Sequence, residues 1–214
     1  MKVILFTRSL NAGGTERQMV LLAHGLAARG HEVLVVLLYG GGALERTLDR
    51  RAVRLATLDK KGRWDVLGPL RRLRRLFVAE AADAVYAFLP MQTVLAALLA
   101  PGRVVFGLRA GGMDLARYDR LSALSYRAEV FLSRRAAAIV ANAGAIRVQA
   151  GLQGIDAARV AVIANGIDTD AFRPDPAGRA ALRAAWRIGA ETLAIGIVAR
   201  IDPMKDHGNF LRAA

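Results

Sequence analysis

The sequence predicts an α/β protein built on one doubly wound parallel sheet. Seven short runs of β-branched and leucine-rich residues alternate with longer segments in which apolar residues recur at helical spacing. Most of the short runs are continuously apolar, which is typical of parallel strands that helices cover on both faces. Such alternation favours a Rossmann-like sheet with right-handed crossovers, and ligands of these sheets bind beyond the carboxyl ends of the strands.

The predicted elements follow one another closely over the first 165 residues. The strands are predicted at 2–7, 32–38, 53–58, 82–88, 103–108, 137–142 and 159–165. The crossover helices are predicted at about 15–29, 68–80, 90–100, 119–135 and 143–150. Thr15 and Gln18 have the spacing of a capping box at the start of the first helix, and Gly30 supplies the left-handed residue expected at its end.

The composition changes after this first region. The segment NGIDTDAFRPDPAG is rich in turn-forming residues and predicts a linker. A helix at about 177–187 and an apolar strand at 192–200 follow, and a further helix begins before Ala214. One strand and the start of a helix do not make a domain, so we expect a truncated chain. The predicted divisions are a Rossmann-like domain at 1–170, a linker and helix at 171–190 and the beginning of a second, truncated Rossmann-like domain at 191–214.

Two adjacent glycines, Gly13 and Gly14, lie between the first strand and the first helix. A helix N-terminus at this place offers unpaired N–H groups and a partial positive charge, and the missing side chains let a phosphate or a sugar approach the backbone. The pair therefore indicates an anion or sugar site, although a tight turn without a ligand uses the same residues. Neither G-x-G-x-x-G nor a Gly-Lys-Ser/Thr ending is present, which argues against an NAD enzyme and a P-loop ATPase.

Arg200 and Lys205 form a second candidate anion site. They lie just after the apolar run AIGIV, and Pro203 stiffens the turn between them. Arginine binds phosphate oxygens through a planar fork and lysine provides a compact charge, so a diphosphate suits such a pair. Two solvated surface cations are the competing interpretation in a chain this basic.

The charge balance indicates an anionic partner. Thirty-one basic and eighteen acidic residues give a formal net charge of +13. Such a surface attracts nucleic acid, anionic lipid or a phosphorylated small molecule. A genome bias towards alanine and arginine codons explains part of the excess equally well.

Other classes of protein are excluded by what the sequence lacks. There are no cysteines, and His24, His31 and His207 are scattered, so we expect no disulfide, no structural metal and no metal cofactor. No apolar run approaches the ~20 residues that span a bilayer, and VILF is too short for the apolar region of a secretory signal. We therefore expect a cytoplasmic protein.

Several motifs in combination resemble the GT-B glycosyltransferases of family 4. They are GGTER, LAARGHEVLVV, IVANAGAIR, VAVIANGIDTDAFRP and IGIVARIDPMKDHGNFLRAA, which together run over the whole chain. The resemblance implies a retaining enzyme with two facing Rossmann-like domains, the first for the acceptor and the second for a nucleotide sugar. It also implies that Arg200 and Lys205 hold the donor diphosphate, and that Gly13 and Gly14 approach its phosphates and sugar. Cations and N–H dipoles then stabilise the departing diphosphate without a metal.

The chain departs from the family pattern in places. The family often carries a histidine after the fifth strand, where this chain has Arg109 within GLRAGGMD. Arg109 does not accept a proton at neutral pH, so we predict that Arg109 and Asp114 bind the acceptor or the sugar. The carboxylate motif of the family lies beyond Ala214, so we expect these 214 residues alone to be inactive.

One predicted helix carries a basic face. The segment GPLRRLRRLFVAE places leucines and a phenylalanine on one face and four arginines on the other. The arginines are Arg71, Arg72, Arg74 and Arg75. A solvated crossover helix accounts for this pattern, and so does a surface that docks on anionic lipid, which Trp64 and the neighbouring Lys60, Lys61 and Arg63 strengthen.

Three functions remain in competition. The first is a glycosyltransferase whose partners are a nucleotide sugar, a glycan or lipid-linked acceptor and the inner face of the cytoplasmic membrane. The second is a nucleic-acid-binding module, but aromatic residues make up only 6% of the chain and do not alternate with the basic ones. The third is a GT-B nucleotide-sugar epimerase.

Overall fold

A computed structural model describes residues 1–62, 64–109, 120–201 and 205–214. The chain forms two compact units, Met1–Gly166 and Ile167–Ala214. The strands of the first unit are β1 (Lys2–Thr7), β2 (Glu32–Leu37), β3 (Val53–Thr57), β4 (Ala84–Phe88), β5 (Val104–Leu108), β6 (Ala138–Ala141) and β7 (Val160–Val162). They coincide with the seven predicted strands, and they form one parallel sheet as the apolar runs predict.

The strand order is β3-β2-β1-β4-β5-β6-β7. β1 pairs with β2 on one side and with β4 on the other, so the order reverses at β1. In doubly wound sheets, ligands bind at the carboxyl ends of the strands near such a reversal. A ligand site is therefore expected at the loops after β1 and β4.

Within the described residues, five α-helices connect the strands of the first unit. They are α1 (Gly14–Ala28), α2 (Leu67–Glu80), α3 (Pro90–Leu99), α4 (Arg120–Leu132) and α5 (Gly144–Leu152). Short 3₁₀ turns occupy Ala43–Thr47, Ser133–Arg135 and Ala157–Arg159. The helices lie close to their predicted bounds, and Gly30 has the predicted positive φ of 80° after α1.

The core fills both faces of the sheet. Ile4, Phe6 and Phe106 face one apolar cluster together with Leu73 and Phe77 of α2. The alternate residues of the strands face a second cluster, which α1 covers. It includes Leu5, Met19, Val35 and Phe88. Burial of successive residues on opposite faces explains why the strand sequences are continuously apolar.

The described residues of the second unit include the short helices α6 (Pro176–Ala185) and α7 (His207–Ala213). The Asp175 carboxylate accepts a hydrogen bond from the Gly178 N–H at 2.9 Å and caps α6. The predicted strand at 192–200 is wrong, because this segment has no strand conformation and its Leu193 side chain is 81% exposed. A strand is stabilised by hydrogen bonds to a neighbouring strand, and the described part of this unit contains no strand that could pair with this segment.

No helix within the described ranges is long and apolar enough to cross a membrane.

Candidate functional site

The glycine loop lies at the carboxyl end of β1, where the strand order predicts a site. Gly13 is the N-cap of α1 with an extended backbone (φ −162°), and Gly14 is the first helical residue. Gly14 is exposed, its φ is not positive, and a Cβ built on it would have no atom within 4 Å. Neither backbone conformation nor packing therefore requires glycine at position 14, and a ligand would be able to approach this backbone closely.

The first turn of α1 carries an acidic side chain. A Cβ on Gly13 would overlap the Glu16 carboxylate. The partial positive charge of the helix N-terminus favours this carboxylate.

The predicted capping box of Thr15 and Gln18 is wrong. No side chain caps α1. Gln18 instead reaches the segment that follows β7, where its Nε2 donates to the Gly166 carbonyl at 2.7 Å and its Oε1 accepts from the Gly166 N–H at 2.9 Å. Because an amide side chain offers both a donor and an acceptor, it matches one peptide group completely.

A second glycine-rich loop, which follows β2 and contains Gly40, Gly41 and Gly42, packs against the glycine loop. Its backbone contacts the β1–α1 loop, where Leu44 N donates to the Leu10 carbonyl at 2.8 Å. A Cβ on Gly42 would lie 2.5 Å from the same carbonyl oxygen, so only glycine lets the two loops pack. The Glu45 carboxylate fixes this loop by accepting from Gly42 N at 2.8 Å. Residue patterns did not predict this packing, although the run YGGG indicates a loop in which side chains are absent.

Arg109 lies directly after β5. Phe88 and Gly107 are register partners in β4 and β5, and a Cβ on Gly107 would lie 2.9 Å from Tyr86 Cε2. The missing side chain leaves room for the Tyr86 and Phe88 rings, which stack at 4.5 Å. The Arg109 guanidinium covers this pair, 4.4 Å from the Phe88 centroid.

Hydrogen bonds orient the Arg109 guanidinium. Its Nη1 donates to Asn165 Oδ1 at 2.9 Å and its Nη2 approaches the Tyr86 hydroxyl at 3.4 Å. Burial lowers the pKa of Arg109 and raises the pKa of Tyr86. Nε of Arg109 is buried and has no partner in the described part of the chain. Asp114, its predicted companion, lies outside the described residues.

Arg109 and Gln18 therefore fix consecutive residues. Arg109 binds the Asn165 side chain and Gln18 binds the Gly166 backbone. The NG dipeptide after β7 is in this way tied both to β5 and to the start of α1.

A small, mainly apolar cavity of about 70 Å³ lies next to Arg109, and residues of α4 and α5 line it. Glu129 lines it and is only 3% exposed. Burial raises the pKa of Glu129 to about 7, and a hydrogen bond with Thr93 offsets part of this rise. Tyr126 also lines the cavity and donates to Gln153 Oε1 at 2.5 Å. The sequence analysis missed Glu129, although Tyr126, Glu129 and Leu132 recur at the spacing of the buried helix face.

The four arginines of α2 differ in their surroundings. Arg71, Arg74 and Arg75 are exposed. Arg72 donates from Nε and Nη2 to the Leu58 carbonyl at 2.9 and 2.6 Å, so it ties α2 to the end of β3.

The predicted donor-binding cations lie in the second unit, and both Arg200 and Lys205 are exposed. The Arg200 carbonyl accepts a hydrogen bond from His207 Nε2 at 2.8 Å, which links the residue to the start of α7. Pro203 lies outside the described residues.

The parallel sheet and its strand order, which reverses at β1, define a Rossmann-like fold. The sequence model of Glycosyltransferase Family 4 matches residues 12–171, and the chain belongs to this family. A search of curated proteins gave no match.

Solved structures of glycosyltransferases have the same fold. HepE from Anabaena, in a complex with UDP and glucose, superposes with a TM-score of 0.81 at 22% identity. The match covers 100% of this chain and 57% of HepE, so the chain spans little more than half the length of that protein. Sucrose-phosphate synthase from Thermosynechococcus elongatus matches with a TM-score of 0.74 at 14% identity, over 99% of this chain and 59% of the synthase. A glycosyltransferase from Rickettsia africae matches with a TM-score of 0.64 at 17% identity, over 89% and 50% of the two chains.

Proposed function

We propose that this chain functions in a glycosyltransferase that moves a sugar from a nucleoside diphosphate donor to a glycan or lipid-linked acceptor, with retention at the anomeric carbon. Membership of Glycosyltransferase Family 4 supports this reaction over nucleotide-sugar epimerisation and over nucleic-acid binding. We expect the 214 residues alone to be inactive.

The observation that carries the proposal is the open backbone at Gly14. This glycine begins α1 at the carboxyl end of β1, and nothing in the described structure fills the space above it. N–H groups at a helix start stabilise negative charge that develops on a leaving diphosphate. Gly13 and Gly14 are therefore proposed to contact the donor phosphates and sugar.

Arg200 and Lys205 are proposed to bind the same diphosphate. Both side chains are exposed, and their spacing matches the family motif. A guanidinium and an ammonium group neutralise the leaving charge, which is the role a metal ion plays in other transferases, so the proposed mechanism uses no metal.

Arg109 is proposed to position the acceptor or the transferred sugar. Its guanidinium is fixed by Asn165 and by the aromatic pair, so it presents donors in a defined direction. It serves as a hydrogen-bond donor and a charge rather than as a base. Asp114 is proposed to share this role.

The donor test compares two open glycines in the full-length protein. HepE has been crystallised with UDP-glucose, which makes this nucleotide sugar the first probe. Gly14→Val places a side chain in the proposed phosphate path, whereas Gly62→Val fills a position before α2 that is also open and that takes no part in the proposed donor contacts. We expect UDP-glucose to raise the melting temperature of the wild type and of Gly62→Val but not of Gly14→Val.

An oligonucleotide serves as the competing ligand in the same assay. Stabilisation by the oligonucleotide without stabilisation by UDP-glucose would favour the nucleic-acid module. An equal response of the two valine variants would remove Gly14 from the site. If UDP-glucose binds, analysis of the products with a sugar acceptor present separates transfer from epimerisation.

A peripheral membrane position at the cytoplasmic leaflet is a second part of the proposal. Trp64, which is 90% exposed, precedes α2, and Arg71, Arg74 and Arg75 are exposed along the helix. Interfacial tryptophan together with cations favours anionic lipid, at about 1 kcal/mol for each cation near the surface.

Sedimentation with vesicles tests this membrane surface. We expect binding to vesicles that contain phosphatidylglycerol, and we expect added salt or the triple change of Arg71, Arg74 and Arg75 to glutamine to reduce it. Equal binding to neutral vesicles at all salt concentrations would contradict an electrostatic surface.

A further inference from the structure

A second polar cluster lies at the carboxyl ends of β1, β2 and β3. Arg8 follows β1, Tyr39 follows β2 and Lys60 follows β3. The backbone pairing continues beyond the strands, because Tyr39 N donates to the Arg8 carbonyl at 2.9 Å and Lys60 N donates to the Leu38 carbonyl at 3.0 Å. This pairing brings the three side chains to the edge of the sheet at which doubly wound proteins bind their ligands.

Tyr39 lies close to both cations. The guanidinium carbon of Arg8 is 5.6 Å from the ring centroid, and Lys60 Nζ is 6.0 Å from it. Two like charges beside one ring repel each other, and an anion that contacts both relieves this repulsion.

Backbone carbonyls hold one of these cations in place. Lys60 Nζ donates to the Gly62 carbonyl at 2.5 Å and to the Asp65 carbonyl at 2.6 Å. Arg72 is fixed in a similar way on the Leu58 carbonyl at the end of β3. Neutral carbonyl groups orient these two side chains, and with Arg8 they make three cations against the two nearby carboxylates of Asp59 and Asp65.

The nearby carboxylates have local partners. Asp59 Oδ1 accepts from the Thr57 hydroxyl at 2.5 Å, and Asp65 Oδ2 accepts from Lys61 N at 2.9 Å. Arg8 is exposed and forms no ion pair with any residue that the structure describes. Its guanidinium can therefore receive an anion from solvent with both terminal nitrogens.

We propose that Arg8, Tyr39 and Lys60 form a binding site for an anionic group, a phosphate or a carboxylate, carried by the acceptor. This assignment rests on the proposed transferase function and gives its acceptor a chemical class, an anionic sugar or polyol. The Arg8 guanidinium donates two hydrogen bonds to the anion, and Lys60 supplies a second positive charge. The Tyr39 ring contacts both cations, so that both can bind the same ligand. Arg8 and the glycine loop both belong to the β1–α1 connection.

Titration calorimetry on the full-length protein tests this site with three monosaccharides. Glucose 6-phosphate supplies the phosphate arm, glucuronate the carboxylate arm and glucose the neutral reference, all in phosphate-free buffer. We expect at least one charged sugar to bind at least tenfold more tightly than glucose, and we expect added salt to weaken it. The arm that binds more tightly identifies the anion.

The decisive variant is Arg8→Gln, because Arg8 is exposed and its loss leaves the backbone pairing in place. We expect it to weaken the charged sugar at least tenfold, while Arg8→Lys recovers part of the affinity. Arg127→Gln removes an exposed cation from α4 and is the matched control, which we expect to bind as the wild type does. Equal binding by Arg8→Gln and Arg127→Gln, or glucose binding as tightly as both charged sugars, would overturn the proposal.

UDP-glucose separates this proposal from the donor assignment. If Arg8→Gln loses the charged sugar and keeps UDP-glucose, both assignments stand. If Arg8→Gln loses UDP-glucose as well, the cluster binds the donor, and the acceptor assignment is wrong. If the charged sugar binds through Arg8 but UDP-glucose does not bind the wild type, the anion site stands and the transferase proposal fails.

Discussion

Gln18 and Gly166 are joined by two hydrogen bonds across 148 positions of the sequence, one from Nε2 to the carbonyl at 2.7 Å and one to Oε1 from the N–H at 2.9 Å. Gln18 lies one turn after the glycine loop, and Gly166 is the last residue of the first unit. The pair therefore fixes the exit of the sheet domain against the start of α1. It forms a structural link where the sequence suggested only a local cap.

Loss of this link should release the segment after β7. Gln18→Ala removes both bonds, and we expect the free energy of unfolding to fall by about 1 kcal/mol, since the bonds are exposed. Hydrogen exchange of the Gly166 amide should accelerate more than that of the sheet amides. Gln18→Glu keeps the acceptor and loses the donor, so its exchange should be intermediate. Unchanged protection at Gly166 in both variants would contradict the link.

Gly42→Ala should destabilise the fold. The new methyl group would lie 2.5 Å from the Leu10 carbonyl oxygen, so the β1–α1 loop has to move. Overpacking of this kind costs about 1–3 kcal/mol, which urea unfolding measures. Gly62→Ala, whose methyl group meets no atom within 4 Å, is the control and should unfold as the wild type does. A Gly42→Ala variant as stable as the control would show that the two loops are not packed together.

Arg109→Lys should separate charge from geometry. The lysine keeps a positive charge but loses the planar contact with Phe88 and the fixed bond to Asn165. We expect the KM for the acceptor to rise by roughly tenfold with little change in the affinity for UDP-glucose, because one charge-assisted contact contributes about 1.5–3 kcal/mol. Steady-state kinetics measures the first quantity and calorimetry the second. A wild-type KM in Arg109→Lys would remove Arg109 from the acceptor site.

Glu129 should make stability depend on pH. Its pKa is raised from 4.5 to about 7, so the folded protein keeps a proton that the unfolded chain has lost between these values. The contribution of Glu129 to the free energy of unfolding is largest below pH 4.5, falls as the pH rises to 7 and is constant above it.

Glu129→Gln removes this titration. Relative to the wild type, we expect the variant to gain up to about 3 kcal/mol of stability between pH 4 and pH 8. Chemical unfolding of both proteins at several pH values gives the difference and cancels the titration of the other acids. A difference that does not change with pH would show that Glu129 titrates at its ordinary pKa.

The strands are predicted well because the pattern that identifies each strand lies within a few consecutive residues. Continuous apolar runs identify the seven strands, and the change to helical spacing after Gly14 identifies the loop between β1 and α1. The place of that loop at the carboxyl edge then follows from the parallel order of the strands.

Contacts between distant segments were missed for a physical reason. Gln18 has the correct spacing from Thr15 for a capping box. Its amide instead forms two hydrogen bonds with the peptide group of Gly166. Arg72 has the spacing of a solvated residue, but the Leu58 carbonyl binds it. Such pairings depend on which backbone groups the fold leaves open, and residue spacing does not specify them.

The predicted strand at 192–200 was wrong because an apolar run becomes a strand only beside a partner. The burial of Glu129 was not predicted because acidic residues are mostly exposed in folded proteins. The helical spacing alone would have placed it inside.

The position of a bound donor tests the central claim most directly. A crystal structure of the full-length protein with UDP-glucose should place phosphate oxygens within ~3 Å of the Gly14 backbone N–H and of the Arg200 and Lys205 side-chain nitrogens. A diphosphate that contacts neither the glycine loop nor these two cations would contradict the account.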